Sequence, residues 1–285
     1  MPEWPEYINR AFEMFYYSGV EEEIEEAIET FASRWGGLDL ETFTHVLDVG
    51  QGQDKLVAVF ALGYSGNLEA RAALLPFLHS RVRMERWASA LCLGEMQEEQ
   101  ALPVLQDMLQ EGLFEQEDSE DTGTREGVMW YEAHRRRVAS LLGEWGTPTL
   151  VPALRQALQA CWRREQQVMA PAPLYPWAQY LAYYHDFQDS LAFALGRLGA
   201  FGVLFQLELP PSHLNMALIY LVLGYLYSSK GHRYHNLLGQ MMIDEPLKQG
   251  MIQVLEERFG FLAAEGAGAI ERFFDDYVTR KDEER

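Results

Sequence analysis

The chain is poor in the features a reactive or membrane-bound protein needs. Only two cysteines, Cys92 and Cys161, occur in 285 residues. Two are too few for a disulfide scaffold, and their spacing suits no metal site. A reducing, cytoplasmic setting and no cofactor are expected. The most hydrophobic run, Met216 to Tyr227, is 12 residues, against the roughly 20 that a membrane-spanning helix requires. The first residues, with Trp4, Pro5 and Glu6, lack the basic start and apolar stretch of a secretory signal. There is no Gly-x-Ser-x-Gly elbow and no glycine-rich phosphate loop.

Positive charge is scarce as well, with 23 basic against 43 acidic residues and a net charge of −20. Affinity for a nucleic-acid backbone comes largely from Lys and Arg neutralising phosphates, so a nucleic-acid partner is not expected. Docking on an anionic membrane surface is disfavoured for the same reason. The deficit is uneven: residues 1–127 hold 26 acidic and 8 basic groups, a net of −18, and the remainder a net of −2. A basic partner would be drawn to the N-terminal half.

What is present is a folding sequence. Hydrophobic residues make up 48 %, with 15 Phe, 14 Tyr and 7 Trp, enough for a sizeable core and unlike a disordered chain. Five marks of one kind run along it: Ala58-Val-Phe-Ala-Leu-Gly63, Ala88-Ser-Ala-Leu-Cys-Leu-Gly94, Val138-Ala-Ser-Leu-Leu-Gly143, Leu191-Ala-Phe-Ala-Leu-Gly196 and Ile219-Tyr-Leu-Val-Leu-Gly224. Each glycine follows a leucine, and in the first four units another leucine stands eleven residues on: Leu74, Leu105, Leu154 and Leu207. These offsets fall at helical spacing, so each unit reads as two amphipathic helices with a short turn between them. The marked glycine is expected at that turn, where a left-handed residue often ends a helix. Thr147-Pro148 reads as an N-cap followed by a first-turn proline.

A single pair has too little core of its own, and stacking buries the faces of neighbours. The anchors lie 31, 49, 53 and 28 residues apart. The short spacings fit a bare repeat and the long ones imply insertions, near 113–127, with the acidic run Glu115 to Asp121, and near 165–176, with Pro171, Pro173 and Pro176.

Two stretches resemble the short bacterial HEAT repeats called phycobilisome-lyase-like. One is Arg86-Trp-Ala-Ser-Ala-Leu-Cys-Leu-Gly-Glu-Met96 with Ala101 to Leu109, the other Arg137 to Leu154. The resemblance covers about residues 40–212. It implies an all-α fold: a right-handed α-α superhelix, or HEAT-like solenoid, of about five helix pairs plus helical caps. The organisation expected is an N-terminal cap over 1–40, repeats over 41–212, and a C-terminal helical region over 213–285 that continues or caps the stack. Amphipathic spacing places cap helices at Tyr7 to Tyr17 and Val20 to Trp35, and further helices at Asp244 to Phe259 and Gly268 to Thr279.

Few residues carry candidate chemistry. Lys55, Arg86 and Arg135 share one offset, eight before the glycine, and read either as structural pairs along one edge or as a basic ladder. Arg135, Arg136 and Arg137, with Arg155, Arg163 and Arg164, form the main basic concentration. Guanidinium groups clamp carboxylates and phosphates bidentately, so they suit an acidic peptide or a phosphorylated ligand, unless the acidic 115–121 run pairs with them. Tyr175, Trp177, Tyr180 and Tyr184, with Tyr220, Tyr225 and Tyr227, form an aromatic band that reads as core or as hot-spot anchors for a partner. His232 and His235 are spaced as two metal ligands but have no clear third, and no metal is expected. The chain has no His-Glu dipeptide of the kind repeated in HEAT metal hydroxylases. A HEAT-type DNA glycosylase would need a basic face, against the acidic balance.

No catalytic residue is assigned. The reading is a non-enzymatic scaffold or adaptor that holds another protein or peptide on its concave face and inter-repeat loops. Resemblance to the lyases implies the alternative, a phycobilin-lyase-like enzyme or chromophore-binding protein that attaches or detaches a bilin at a cysteine of a carrier protein.

Overall fold

The computed structural model describes residues 4–17, 21–33, 39–65, 67–110, 125–168, 181–207, 209, 211–228, 231–237, 244–258 and 263–283. These residues are all helix and turn, with no strand among them. The chain divides into two compact units, Met1–Leu141 and Leu142–Arg285.

The first unit contains α1 (Glu6–Tyr17), α2 (Glu21–Ser33), α3 (Leu40–Val49), α4 (Gln53–Tyr64), α5 (Leu68–Leu74), α6 (Arg83–Glu95), α7 (Leu102–Gln110) and most of α8 (Arg125–Glu144). A 3-10 turn, Leu75–His79, prolongs α5, and another, Glu99–Ala101, leads into α7. Helices α1 and α2 form an N-terminal pair. It is anchored by aromatic packing, with Phe12 and Phe31 both on the Phe60 ring of α4 at 6.3 Å. Trp4 stacks on Phe43 at 5.4 Å and donates its indole N–H to Asp54 at 2.7 Å. Local signals set the starts: Asp39 accepts from the Thr42 backbone N–H at 2.8 Å and Asn67 from that of Glu69 at 2.9 Å, the usual service of an N-cap side chain.

The second unit contains the end of α8, then α9 (Val151–Val168), α10 (Leu181–Arg197), α11 (Pro211–Tyr227), α12 (Glu245–Arg258) and α13 (Ala263–Glu283). Short 3-10 turns precede α9 (Pro148–Leu150), α11 (Phe201–Gln206) and α12 (His232–Leu237). Asp244 caps α12 by accepting from the Leu247 N–H at 3.0 Å, with Pro246 in the first turn as expected. Thr147 does occupy the position before the proline, but its hydroxyl donates to the Trp145 carbonyl at 3.3 Å instead of capping.

The Leu-Gly marks do different work from the one expected. Gly63, Gly94, Gly143, Gly196 and Gly224 all lie inside helices, each before the last residue or earlier, and all are buried. They permit close approach between neighbouring helices. A Cβ on Gly63 would overlap the side chain of Cys92 in α6, and one on Gly143 would stand 2.9 Å from the Ala194 Cα of α10. Between α10 and α11 the contact is reciprocal: a Cβ on Gly196 would overlap the Leu221 carbonyl oxygen, and one on Gly224 the Phe193 carbonyl oxygen. The left-handed turn residue comes three positions later, as Gln97 (φ 56°), Gly146 (φ 66°) and Gly199 (φ 69°).

The leucine before the glycine is fully buried in four units, as Leu62, Leu93, Leu142 and Leu195. Each contributes about 1.5–3 kcal/mol of apolar burial, available only because the glycine lets the next helix close over it.

Substituting Gly196 or Gly224 by Ala is expected to lower stability by at least about 2 kcal/mol, because backbone cannot yield as a side-chain end does. Gly268 of α13 meets only the Arg272 guanidinium at 3.7 Å. Gly268→Ala should be neutral or stabilising by up to about 1 kcal/mol, from helix propensity. Thermal denaturation of the three variants checks the contrast.

Candidate interaction surface

Surface chemistry begins with where the cations are spent. In the first unit Lys55 of α4 pairs with Glu85 of α6 at 3.5 Å and lies 5.1 Å over the Phe77 ring. Arg71 of α5 pairs with Glu98, and Arg137 of α8 bonds Glu95 of α6 through Nε at 2.7 Å and Nη2 at 2.5 Å. Arg86 donates to the Ser80 carbonyl at 2.8 Å, and Arg83 lies 5.3 Å over Trp87. In the second unit Arg197 of α10 pairs with Glu144 of α8 at 3.2 Å. Most of these contacts join one helix pair to the next. Single exposed pairs are worth little, about 0–1 kcal/mol, so their main effect is on register and on the charge left facing solvent.

Most residues marked out in the sequence fall among the described ones. Arg135 is only 1 % exposed, and its Nη2 donates to the Leu109 carbonyl at 2.9 Å. That oxygen is among the last four of α7, which have no partner within their own helix, so Arg135 closes a helix end. Arg136 and Arg137 are half-buried, and Arg155 is exposed on α9. Tyr175, Trp177 and Tyr180 lie outside the described residues, as do most of both insertions, while Tyr184 lies on α10. Tyr225 is buried against Phe201 at 5.2 Å, and Tyr227 is half-exposed beside Phe193 at 5.5 Å. His232 is exposed in a 3-10 turn. Among the described residues no three His, Cys, Asp or Glu side chains gather as metal ligands.

Two arrangements were not anticipated. Among the described side chains of α9 the buried ones are Leu154, Ala157, Leu158 and Cys161, which leaves Gln156 and Arg163 exposed on the opposite side and Arg155 exposed on the flank. The period of 3.6 carried this signal. The second is a polar clasp holding α13: Tyr225 donates to Glu271, Tyr234 to Asp275 at 2.8 Å, and Tyr277 to Asp244 at 2.9 Å, with Arg233 on Glu271 at 3.0 Å. Burial, with the adjoining carboxylates, raises the pKa of Tyr225 and Tyr234, so both phenols remain donors well into alkaline pH. These residues are too far apart in sequence for any local pattern to join them.

Cys92 is fully buried, and burial raises its pKa well above that of a free thiol. It stays protonated at neutral pH, where only a thiolate would be nucleophilic.

Cations thus pair across helices in both units, and Arg155 and Arg163 are exposed on α9. Residues 42–115 match the family of HEAT repeats, a span that contains α4 to α7 and the first two Leu-Gly marks. The match places HEAT repeats in that span. No curated protein matches it.

Arg135→Ala is expected to cost about 2–4 kcal/mol, from a buried cavity and an unsatisfied carbonyl. Arg155→Ala should stay within about 0.5 kcal/mol. Urea denaturation of both separates the structural from the surface arginine. The pH profile gives a further check on Glu98, whose pKa is lowered first by the Gln100 backbone N–H and then by Arg71. A depressed carboxylate stabilises the fold above its unfolded pKa, about 4.3, and that contribution is lost as pH falls through the lower folded value. Wild type should therefore lose more stability than Glu98→Gln on acidification below about 4.3, as followed by circular dichroism.

Proposed function

We propose that the chain is a non-enzymatic scaffold that holds an acidic segment of another protein. The observation that carries this reading is the outward face of α9, where Arg155 and Arg163 stand two turns apart with Gln156 between them, all exposed. Guanidinium groups at that spacing can each take a carboxylate in a fork geometry. Their α9 is the second helix of its pair, and stacked second helices form the extended binding surfaces of repeat proteins. Tyr175, Trp177 and Tyr180, which follow α9 in sequence, and Tyr184 of α10 are the aromatic anchors proposed for the same partner. Arg136 is a separate candidate contact on the first unit. Arg135 and Arg137 contribute through the fold, since each already binds a neighbouring helix.

The test is affinity capture with the full chain and with Arg155→Glu/Arg163→Glu, each followed by cross-linking mass spectrometry. One stoichiometric protein partner, cross-linked at α9 through acidic residues and lost at least tenfold in the variant, is the expected result. Equal recovery on both chains would remove α9 as the site. A coloured covalent adduct formed from free bilin and a cysteine-bearing carrier would favour the lyase-like alternative instead.

A further inference from the structure

Val82 is a poor residue for the place it holds. It is the N-cap of α6, with the extended backbone of a cap (φ −79°, ψ 113°), and its side chain makes no capping hydrogen bond. Ser, Thr, Asp and Asn stabilise that position, and Val ranks among the least favourable. Asp39 of α3 and Asn67 of α5 do accept such a bond in the same unit. Burial does not compensate, since Val82 is 53 % exposed. Neither capping nor packing accounts for a valine there.

Its surroundings are the reverse of the unit's. Residues 1–141 hold 27 acidic and 11 basic groups, a net of −16. Residues 79–86, by contrast, hold Arg81, Arg83 and Arg86 against one carboxylate, Glu85. That carboxylate is already engaged: it accepts the Ser80 hydroxyl at 2.6 Å and pairs with Lys55 at 3.5 Å. The Ser80 Oγ in turn accepts from the Val82 N–H at 3.1 Å, and Arg86 donates to the Ser80 carbonyl at 2.8 Å. These bonds hold the loop in one shape. His79, Arg81 and Val82 are exposed on it, and Arg81 makes no ion pair among the described residues. Arg83 is half-buried, with its guanidinium 5.3 Å over the Trp87 ring.

We propose that this loop docks a short acidic segment of another protein, with an apolar side chain of the segment on Val82 and its carboxylates on Arg81 and Arg83. Guanidinium groups take carboxylates in a fork geometry, and an exposed valine between two of them adds an apolar contact. Charge sets the size of the occupant. At physiological salt a surface charge acts over about 8 Å. A short segment stays within reach of the basic loop alone. A nucleic-acid strand or an anionic membrane runs on past it and meets the negative field of the unit. The loop belongs to the first unit, so the proposal stands whether or not α9 holds a partner.

Selection of a phage-displayed random peptide library on the immobilised full chain tests this. Enriched peptides are expected to carry Asp or Glu on both sides of an apolar residue. The strongest of them, made synthetically, should bind Val82→Asp about tenfold or more weakly. That variant gains a cap, so its thermal midpoint should rise by about 2–4 °C. Binding lost from a chain that has become more stable does not come from misfolding. Arg81→Glu should weaken the peptide likewise, and Arg155→Glu/Arg163→Glu should leave it unchanged. No acidic enrichment, equal binding to Val82→Asp, or loss on the α9 variant instead would each overturn the proposal. So would an oligothymidylate or a phosphatidylserine vesicle that binds wild type and is lost in Val82→Asp.

Discussion

Where two helices of this chain cross, their separation is set by what stands at one or two positions on each. At the α10–α11 crossing a glycine from each helix lies beneath a carbonyl oxygen of the other, and no side chain fits between. The Gly63–Cys92 and Gly143–Ala194 approaches follow the same rule with a small side chain on one partner. Close backbones bring the adjoining leucines into full burial, and dispersion between well-packed atoms does the rest. Ion pairs such as Lys55–Glu85 and Arg197–Glu144 decorate joints that apolar packing has already fixed. Remove the small residue and the leucine, the ion pair and the turn all lose their registration together.

Most of the fold was legible because period and punctuation agree. The helices at the cap, the start of α12 at Asp244 and the all-α pairing follow from amphipathic spacing and capping chemistry. The meaning of the marked glycines was not legible. Glycine permits both a positive φ and a close approach, and only a neighbour's coordinates decide between them. The turn position was there to be read three residues on, at Gly146 and Gly199, but Gln97 occupies it once and hides the pattern. Arg135 was opaque for a similar reason. It shares an offset with the half-exposed Lys55 and Arg86, and nothing local reveals that the end of α7 delivers a carbonyl to it. Of the proposed binding residues, the sequence singled out Arg155 for its charge, whereas the face it shares with Arg163 follows from the buried side of α9.

The two units divide their chemistry. The first holds most of the negative charge and uses several cations on itself, through Lys55, Arg71, Arg86, Arg135 and Arg137. The second is nearly neutral, has exposed arginines on α9, includes the wholly uncharged α11, and holds its last helix, α13, by tyrosine–carboxylate bonds.

The anchor glycines are spaced 31, 49, 53 and 28 residues apart, yet at four of the five, Gly94 excepted, a neighbouring helix comes too close for a Cβ. Contacts between backbones do not depend on how much chain connects them. The entropy of closing a connection grows only logarithmically, at about 0.6 kcal/mol for each doubling of its length. The joint is thus indifferent to what is threaded between repeats, and sequence can be added there at small cost in stability. A protein built this way can change what it recognises by editing its connections while every helix crossing stays as it was.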